Sequence, residues 1–202
     1  PSAPNPSVEA ILHAIIPYRF VDHSHADAVV TLTNTAQGED RIRSLYGNRV
    51  LIVPYVMPGF DLAKKVAEMT FETDWSELEG MVLMNHGLFT FSDDAKNSYD
   101  AMIQLVSEAE LEIGTRTKPA VVSTDLCVLD LARLRSAVSY SAGFPMLARI
   151  NNSDASQDFT ARSNVADIAT RGPLTPDHVI RTKRVPLIVE GDVTESLVRY
   201  TQ

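Results

Sequence analysis

Cysteine is almost missing from this chain: Cys127 is the only one in 202 residues. A single thiol excludes an internal disulfide and a cysteine-rich zinc knuckle, and it fits a reducing cytoplasm. Between apolar neighbours it reads as a small buried hydrophobe. No apolar run approaches the roughly 18 residues of a membrane span, and no signal peptide is visible. Basic charge is also short, since 18 Lys and Arg against 26 Asp and Glu leave a formal net charge of −8. That balance gives no electrostatic footprint for nucleic acid or an anionic membrane. The one local excess, Arg181-Thr182-Lys183-Arg184, reads as a solvated face or a small-anion contact. Glycines never form a G-x-G-x-x-G after a strand, so the dinucleotide fingerprint is absent. There is no internal repeat and no low-complexity tract.

What remains is ordinary globular composition, 45% hydrophobic and 22% charged, enough for one domain or one domain with an appendage. Val8, Ile11, Leu12, Ile15 and Ile16 follow the helical i, i+3, i+4 pattern until Pro17. Tyr18 to Val21 reads as a strand, Ala26 to Leu32 as a short helix, and Thr33 to Asp40 as a polar loop. Val50 to Val53 is a short buried strand, and Asp61 is expected to cap a helix reaching about Glu72. Gly80 to Met84 and Leu88 to Phe91 are strands joined by the tight Asn85-His86-Gly87 connection. Ser92 to Asp94 then cap a long helix, with Tyr99, Met102, Val106, Ala109 and Ile113 on its buried stripe. Strands and helices alternate, and one strand pair is joined too tightly for a crossover. The pattern predicts a layered α/β domain with a mixed, mainly antiparallel sheet. Beyond Thr115 the texture changes: a helix near 125–140, strands near 145–150 and 185–189, and a polar stretch at 151–157 form a smaller C-terminal subregion over 116–202.

Chemistry concentrates in Asp22-His23-Ser24-His25-Ala26-Asp27. Residues i and i+2 of an extended chain project to one side, so His23 and His25 can converge. The pair reads either as two partly exposed histidines or as half of a transition-metal site. His86, at a strand end beside Gly87, is the best third ligand for zinc or another divalent transition metal. Glu9, at the start of the first helix, reads as a dipole-favoured capping residue or as a general acid/base. His13 shares its helix face and either orients that carboxylate or is a half-buried helix residue. His178 reads as part of a structural turn or, with Arg181, as a holder of an anionic substrate group.

Pro6-Ser7-Val8-Glu9, the histidine pair segment and Asn85-His86-Gly87-Leu88 occur in the order found in class II aldolase/adducin domains, which the chain resembles. Pro54 to Gly59 and Thr175 to Lys183 are similar to the bacterial subgroup in which such a domain precedes a short-chain dehydrogenase domain, as in rhamnulose-phosphate aldolase/dehydrogenase proteins. The resemblance implies a three-layer α/β/α fold over about residues 1–115, with metal on His23, His25 and His86 and Glu9 as acid/base. It implies a cytoplasmic aldehyde-lyase acting on a sugar phosphate, and a homo-oligomer, tetrameric by the same likeness. Alternatives are a sugar-phosphate epimerase of the same family and a non-catalytic adducin-like interaction domain. The family's Gly/Ser-rich phosphate loop, upstream of the Glu motif, is not among these residues. The chain, which begins with Pro1, is therefore expected to be a fragment of a larger bifunctional protein.

Overall fold

The computed structural model describes residues 6–7, 9–114, 127–175, 178–180 and 182–201. The chain divides into two compact units, Pro1–Thr117 and Lys118–Gln202. The first contains α1 (Ala10–Ile15), β1 (Phe20–Ser24), α2 (Asp27–Thr33), α3 (Gly38–Tyr46), β2 (Val50–Val53), α4 (Phe60–Met69), β3 (Gly80–Leu83), β4 (Gly87–Ser92) and α5 (Ala95–Gly114). Its four strands lie in the order β1-β4-β3-β2. β4 is antiparallel to both β1 and β3, whereas β2 and β3 are parallel and α4 lies between them in sequence, as a parallel pair requires.

The pleat sorts the side chains into two cores and so builds three layers. Val50, Val82 and Leu88 face α2, α3 and α5, where they meet Val29, Leu32, Ile42, Tyr46, Met102, Leu105 and Ala109. Val53, Met81, Leu83, Phe89 and Phe91 face α1 and α4, against Leu12, Ile16, Leu62, Ala63 and Val66. The fold is thus α/β/α around a mixed, mainly antiparallel sheet. The Tyr46 hydroxyl donates to the Leu105 carbonyl at 2.6 Å, giving a buried polar tip its partner. Burial raises the pKa of that phenol well above its usual range, with Glu108 adding to the effect. Arg49 pairs with both Glu79 and Glu108, tying the segment before β2 to α5.

Several local expectations are corrected. The segment read as polar loop turns at Gly38 into α3, whose Ile42 and Tyr46 are buried and whose Leu45 is partly buried. Asp61 lies in the first turn of α4, and the N-cap is Gly59, without a side-chain bond. The cap of α5 does come from the Ser92–Asp94 cluster, with Asp94 accepting from the Asn97 N–H at 3.0 Å. The buried stripe there runs through Ser98, Met102, Leu105 and Ala109, while Tyr99 is exposed. The helical repeat of 3.6 residues favours that i, i+4, i+7, i+11 spacing.

The second unit holds α6 (Val128–Ala142), α7 (Asp154–Thr160), α8 (Val165–Ala169) and α9 (Val193–Thr201). The strands expected near 145–150 and 185–189 are not formed. Among the described residues this unit has no other strand, so neither segment has a ladder for its backbone groups. The polar stretch at 151–157 instead enters α7, where Ser153 Oγ accepts from the Ser156 N–H. Cys127 is exposed rather than buried. No helix of the described residues is long and apolar enough to cross a membrane.

Trp75 is the only tryptophan and packs edge-on against Phe91, so its fluorescence reports unfolding of the first unit alone. Leu105, with 0% of its surface exposed, lies between α5 and the sheet. Leu105→Ala is expected to lower stability by about 2–5 kcal/mol, the usual cost of a buried leucine cavity, in urea unfolding followed through Trp75.

Candidate metal centre

The pleat of β1 decides which way its neighbours point. Asp22 faces α5, where its Oδ2 accepts from Ser98 Oγ at 2.6 Å. His23 therefore faces the opposite layer, the one that contains α1. In the β1–β4 ladder His23 stands opposite Phe89, and the rings stack with centroids 4.0 Å apart and an interplanar angle of 13°. The phenyl is fully buried and serves as a flat floor that fixes the imidazole. His23 Nδ1–H donates to the Leu88 carbonyl at 3.0 Å. That bond sets the tautomer and leaves Nε2 with its lone pair. His23 Nε2 is buried and has no hydrogen-bond partner.

His25 lies one residue beyond the end of β1, and its ring sits 4.8 Å from that of His23. His86 comes from the turn between β3 and β4, with ring centroids 5.2 Å from His23 and 5.0 Å from His25. That turn closes through the His86 N–H to the Leu83 carbonyl at 3.1 Å and places Asn85 at φ 58°. Gly87 follows because nothing larger fits. A Cβ there would lie 2.4 Å from the Ser24 carbonyl oxygen and 3.2 Å from ring atoms of both His23 and His25.

Glu9 is the N-cap residue of α1, yet its side chain makes no capping bond. The carboxylate instead enters the histidine triangle. Glu9 Oε1 is 2.9 Å from His86 Nε2, 3.4 Å from His23 Nε2 and 3.9 Å from His25 Nε2. One ligand atom from each of the four residues lies within 4.8 Å of every other. His13 is exposed, and its ring meets Phe89 edge-on at 5.4 Å.

Burial dominates the electrostatics. It pushes His23 down to about 4, against the opposing effects of the Leu88 hydrogen bond and Glu9. Burial also lowers His86, again opposed by Glu9. Both rings are therefore neutral at pH 7, the form that ligates metal. His86 Nε2–H donates to Glu9 Oε1, while its buried Nδ1 has no partner. Taking a cation at Nε2 moves that proton to Nδ1 and leaves the ring neutral, so binding weakens only at acid pH, where the rings protonate. Three convergent imidazoles, one with a buried and unpartnered Nε2, fit a first-row divalent cation such as zinc.

The four candidate residues of the first unit thus meet at one point. His178 belongs to the second unit, in a turn where its Nδ1 is 2.7 Å from Thr175 Oγ1, and Arg181 lies outside the described residues. Leu88, Phe89 and Gly87 also shape the site, and of these the sequence points only to Gly87, beside His86. Only the strand register reveals the first two, whereas the close approach at Gly87 carries a weak sequence signal, a glycine directly after a candidate ligand.

Residues 1–113 match the family model of the Class II Aldolase and Adducin N-terminal domain, and residues 125–201 match that of the Aldolase class II, second domain. A curated relative, the "Uncharacterized oxidoreductase YuxG" of Bacillus subtilis (strain 168), is 32% identical over 200 residues, covering 93% of this chain and 28% of the relative. Among solved structures, the N-terminal Class II Aldolase domain of a conserved protein from Thermoplasma acidophilum is 50% identical, with a TM-score of 0.49 over 56% of this chain and 51% of that one. A sugar-phosphate aldolase from Thermotoga maritima is 18% identical, with a TM-score of 0.44 over 56% of this chain and 57% of that one.

Two outcomes follow from this geometry. Gly87→Ala is expected to push β1 from β4 and spread His23 and His25, lowering zinc affinity at least tenfold in a chelator competition. In the metal-free protein, His23 and His86 have folded pKa values below the ordinary 6.5. The unfolded chain therefore binds more protons between pH 6.5 and about 4. Stability is fully present above pH 6.5 and falls as pH drops through that window, which urea midpoints measured across it will show; a flat profile would contradict the neutral, buried assignment.

Proposed function

We propose that this chain, which belongs to the class II aldolase and adducin family, is the metal-dependent lyase part of a larger protein and cleaves a phosphorylated ketose. The observation that carries this reading is the convergence of His23, His25 and His86 on the Glu9 carboxylate. In the family context such a centre suits retro-aldol chemistry. The hydroxyl on the far carbon of the breaking bond loses its proton and becomes the aldehyde. The C–C electron pair passes to the carbon beside the ketone, and that carbon later takes up a proton.

A divalent metal held by His23, His25 and His86 would supply Lewis acidity and stabilise the negative charge that cleavage leaves. The chain's own residues provide the rest. His23, His25 and His86 are the ligands. A ligand set of neutral imidazoles leaves the cation its full positive charge. The Leu88 carbonyl and the Phe89 ring hold His23 in one tautomer and one orientation. Glu9 Oε1, 2.9 Å from His86 Nε2, is the acid/base that holds and delivers the proton taken up by the substrate carbon. At 19% side-chain exposure, the carboxylate reaches both the site and solvent, so it can exchange that proton.

The relative named as an oxidoreductase is matched over only 28% of its length. We propose that a short-chain dehydrogenase domain accompanies this chain in its full-length protein.

Metal analysis after chelator-free purification is expected to find about one zinc or similar ion per wild-type chain and a sub-stoichiometric amount in His23→Ala. Equal, sub-stoichiometric metal in both would remove the site. With the metal-loaded protein and a ketose phosphate, an aldehyde plus dihydroxyacetone phosphate identifies a lyase. A stereoisomer identifies an epimerase, and bound metal with neither product a non-catalytic module. Glu9→Gln is expected to keep its metal and lose about 10²- to 10⁴-fold in turnover, the range for a general acid/base.

A further inference from the structure

The three histidines come from two separate stretches of chain. His23 and His25 belong to the β1–α2 stretch, and His86 to the β3–β4 turn. The β1–β4 ladder joins the two stretches on one side of the site. A second tie lies at the far end of α2. Asn34 is the C-cap of that helix, and its Nδ2 donates to the Val30 carbonyl at 2.9 Å. This bond fixes the amide so that Oδ1 faces away from the helix. There it accepts from Asn85 Nδ2 at 2.8 Å, and the same Nδ2 lies 3.4 Å from the Thr33 carbonyl. Asn85 is the only described residue other than glycine with a positive φ, 58°. That conformation costs asparagine less than most residues, and it directly precedes His86.

From this geometry we infer that Asn85 and Asn34 form a positioning clamp that holds the His86 ligand in register with His23 and His25. The inference deepens the metal-site reading and rests on it. α2 begins two residues after His25, so the clamp and the ladder together hold both stretches at both ends of one short helix. Without the clamp, the β3–β4 turn keeps its own Leu83 hydrogen bond but loses its tie to α2. The pair is solvent-exposed and competes with water, so its effect lies at or just below the bottom of the 10- to 100-fold range for groups that orient metal ligands.

Asn85→Gly is the informative variant, because glycine adopts the same φ without strain and removes only the amide. Asn34→Ala removes the acceptor. Each is expected to weaken Co²⁺ and Zn²⁺ binding about 5- to 10-fold in a chelator competition and to alter the Co²⁺ d–d absorption bands. The double variant is expected to lose less than the product of the two single losses, since both variants remove the Asn34–Asn85 contact. Wild-type affinity in both single variants, or losses that simply multiply, would overturn the clamp. A second readout is independent of metal: NMR contacts between the rings of His86 and His23 in the metal-free protein. They are expected in the wild type and weakened in Asn85→Gly. If they persist unchanged in the variant, the clamp is wrong whether or not metal binds. If the wild type binds no metal yet the ring contacts respond as expected, the metal-site reading fails and the clamp stands.

Discussion

Pairing of β1 with β4 brings two of the three histidines beside the turn that carries the third. The antiparallel register sets His23 against Phe89 and Ser24 against Leu88. From that register come the stacked ring under His23, the Leu88 carbonyl on its Nδ1, and the close approach that only Gly87 allows. A one-residue slip would turn His23 toward α5 and Asp22 toward α1. The two cores on either side of the sheet specify this register, because Leu88 and Phe89 each have a dry pocket on opposite faces.

The second constraint is electrostatic. The His23 and His86 imidazoles are desolvated and neutral, and the Glu9 carboxylate that meets them comes from a helix start where it makes no side-chain capping bond. Glu9 therefore is not a structural cap that happens to sit near histidines. A carboxylate within 2.9–3.9 Å of three ring nitrogens is placed where a cation would be held and where a proton can be exchanged. In the wider molecule the ion pairs of Arg49 with Glu79 and Glu108 lie elsewhere, in the supporting layer.

Much of this was legible in the sequence. A period of two lets the rings of His23 and His25 converge, and only the resemblance to class II aldolase/adducin domains linked Glu9 and His86 to them. The alternation of strands and helices with one tight hairpin gave the layered architecture. What was not legible depended on long-range pairing. Phe89 and Leu88 read as ordinary strand residues until the register is known, and Asn34 lay in a stretch taken for polar loop. α3 is hard to read from sequence because its first half is polar and its two buried apolar anchors, Ile42 and Tyr46, are spaced by one turn. The apolar segments near 145–150 and 185–189 looked like strands, but local composition says nothing about whether a partner strand exists.

X-ray absorption fine structure of the zinc-loaded protein tests the central claim most directly. The account predicts three imidazole nitrogens about 2.0–2.1 Å from the metal, with the multiple-scattering pattern of histidine rings, and the loss of one ring in His86→Ala. A shell with one imidazole or none, or a shell unchanged in that variant, would contradict it.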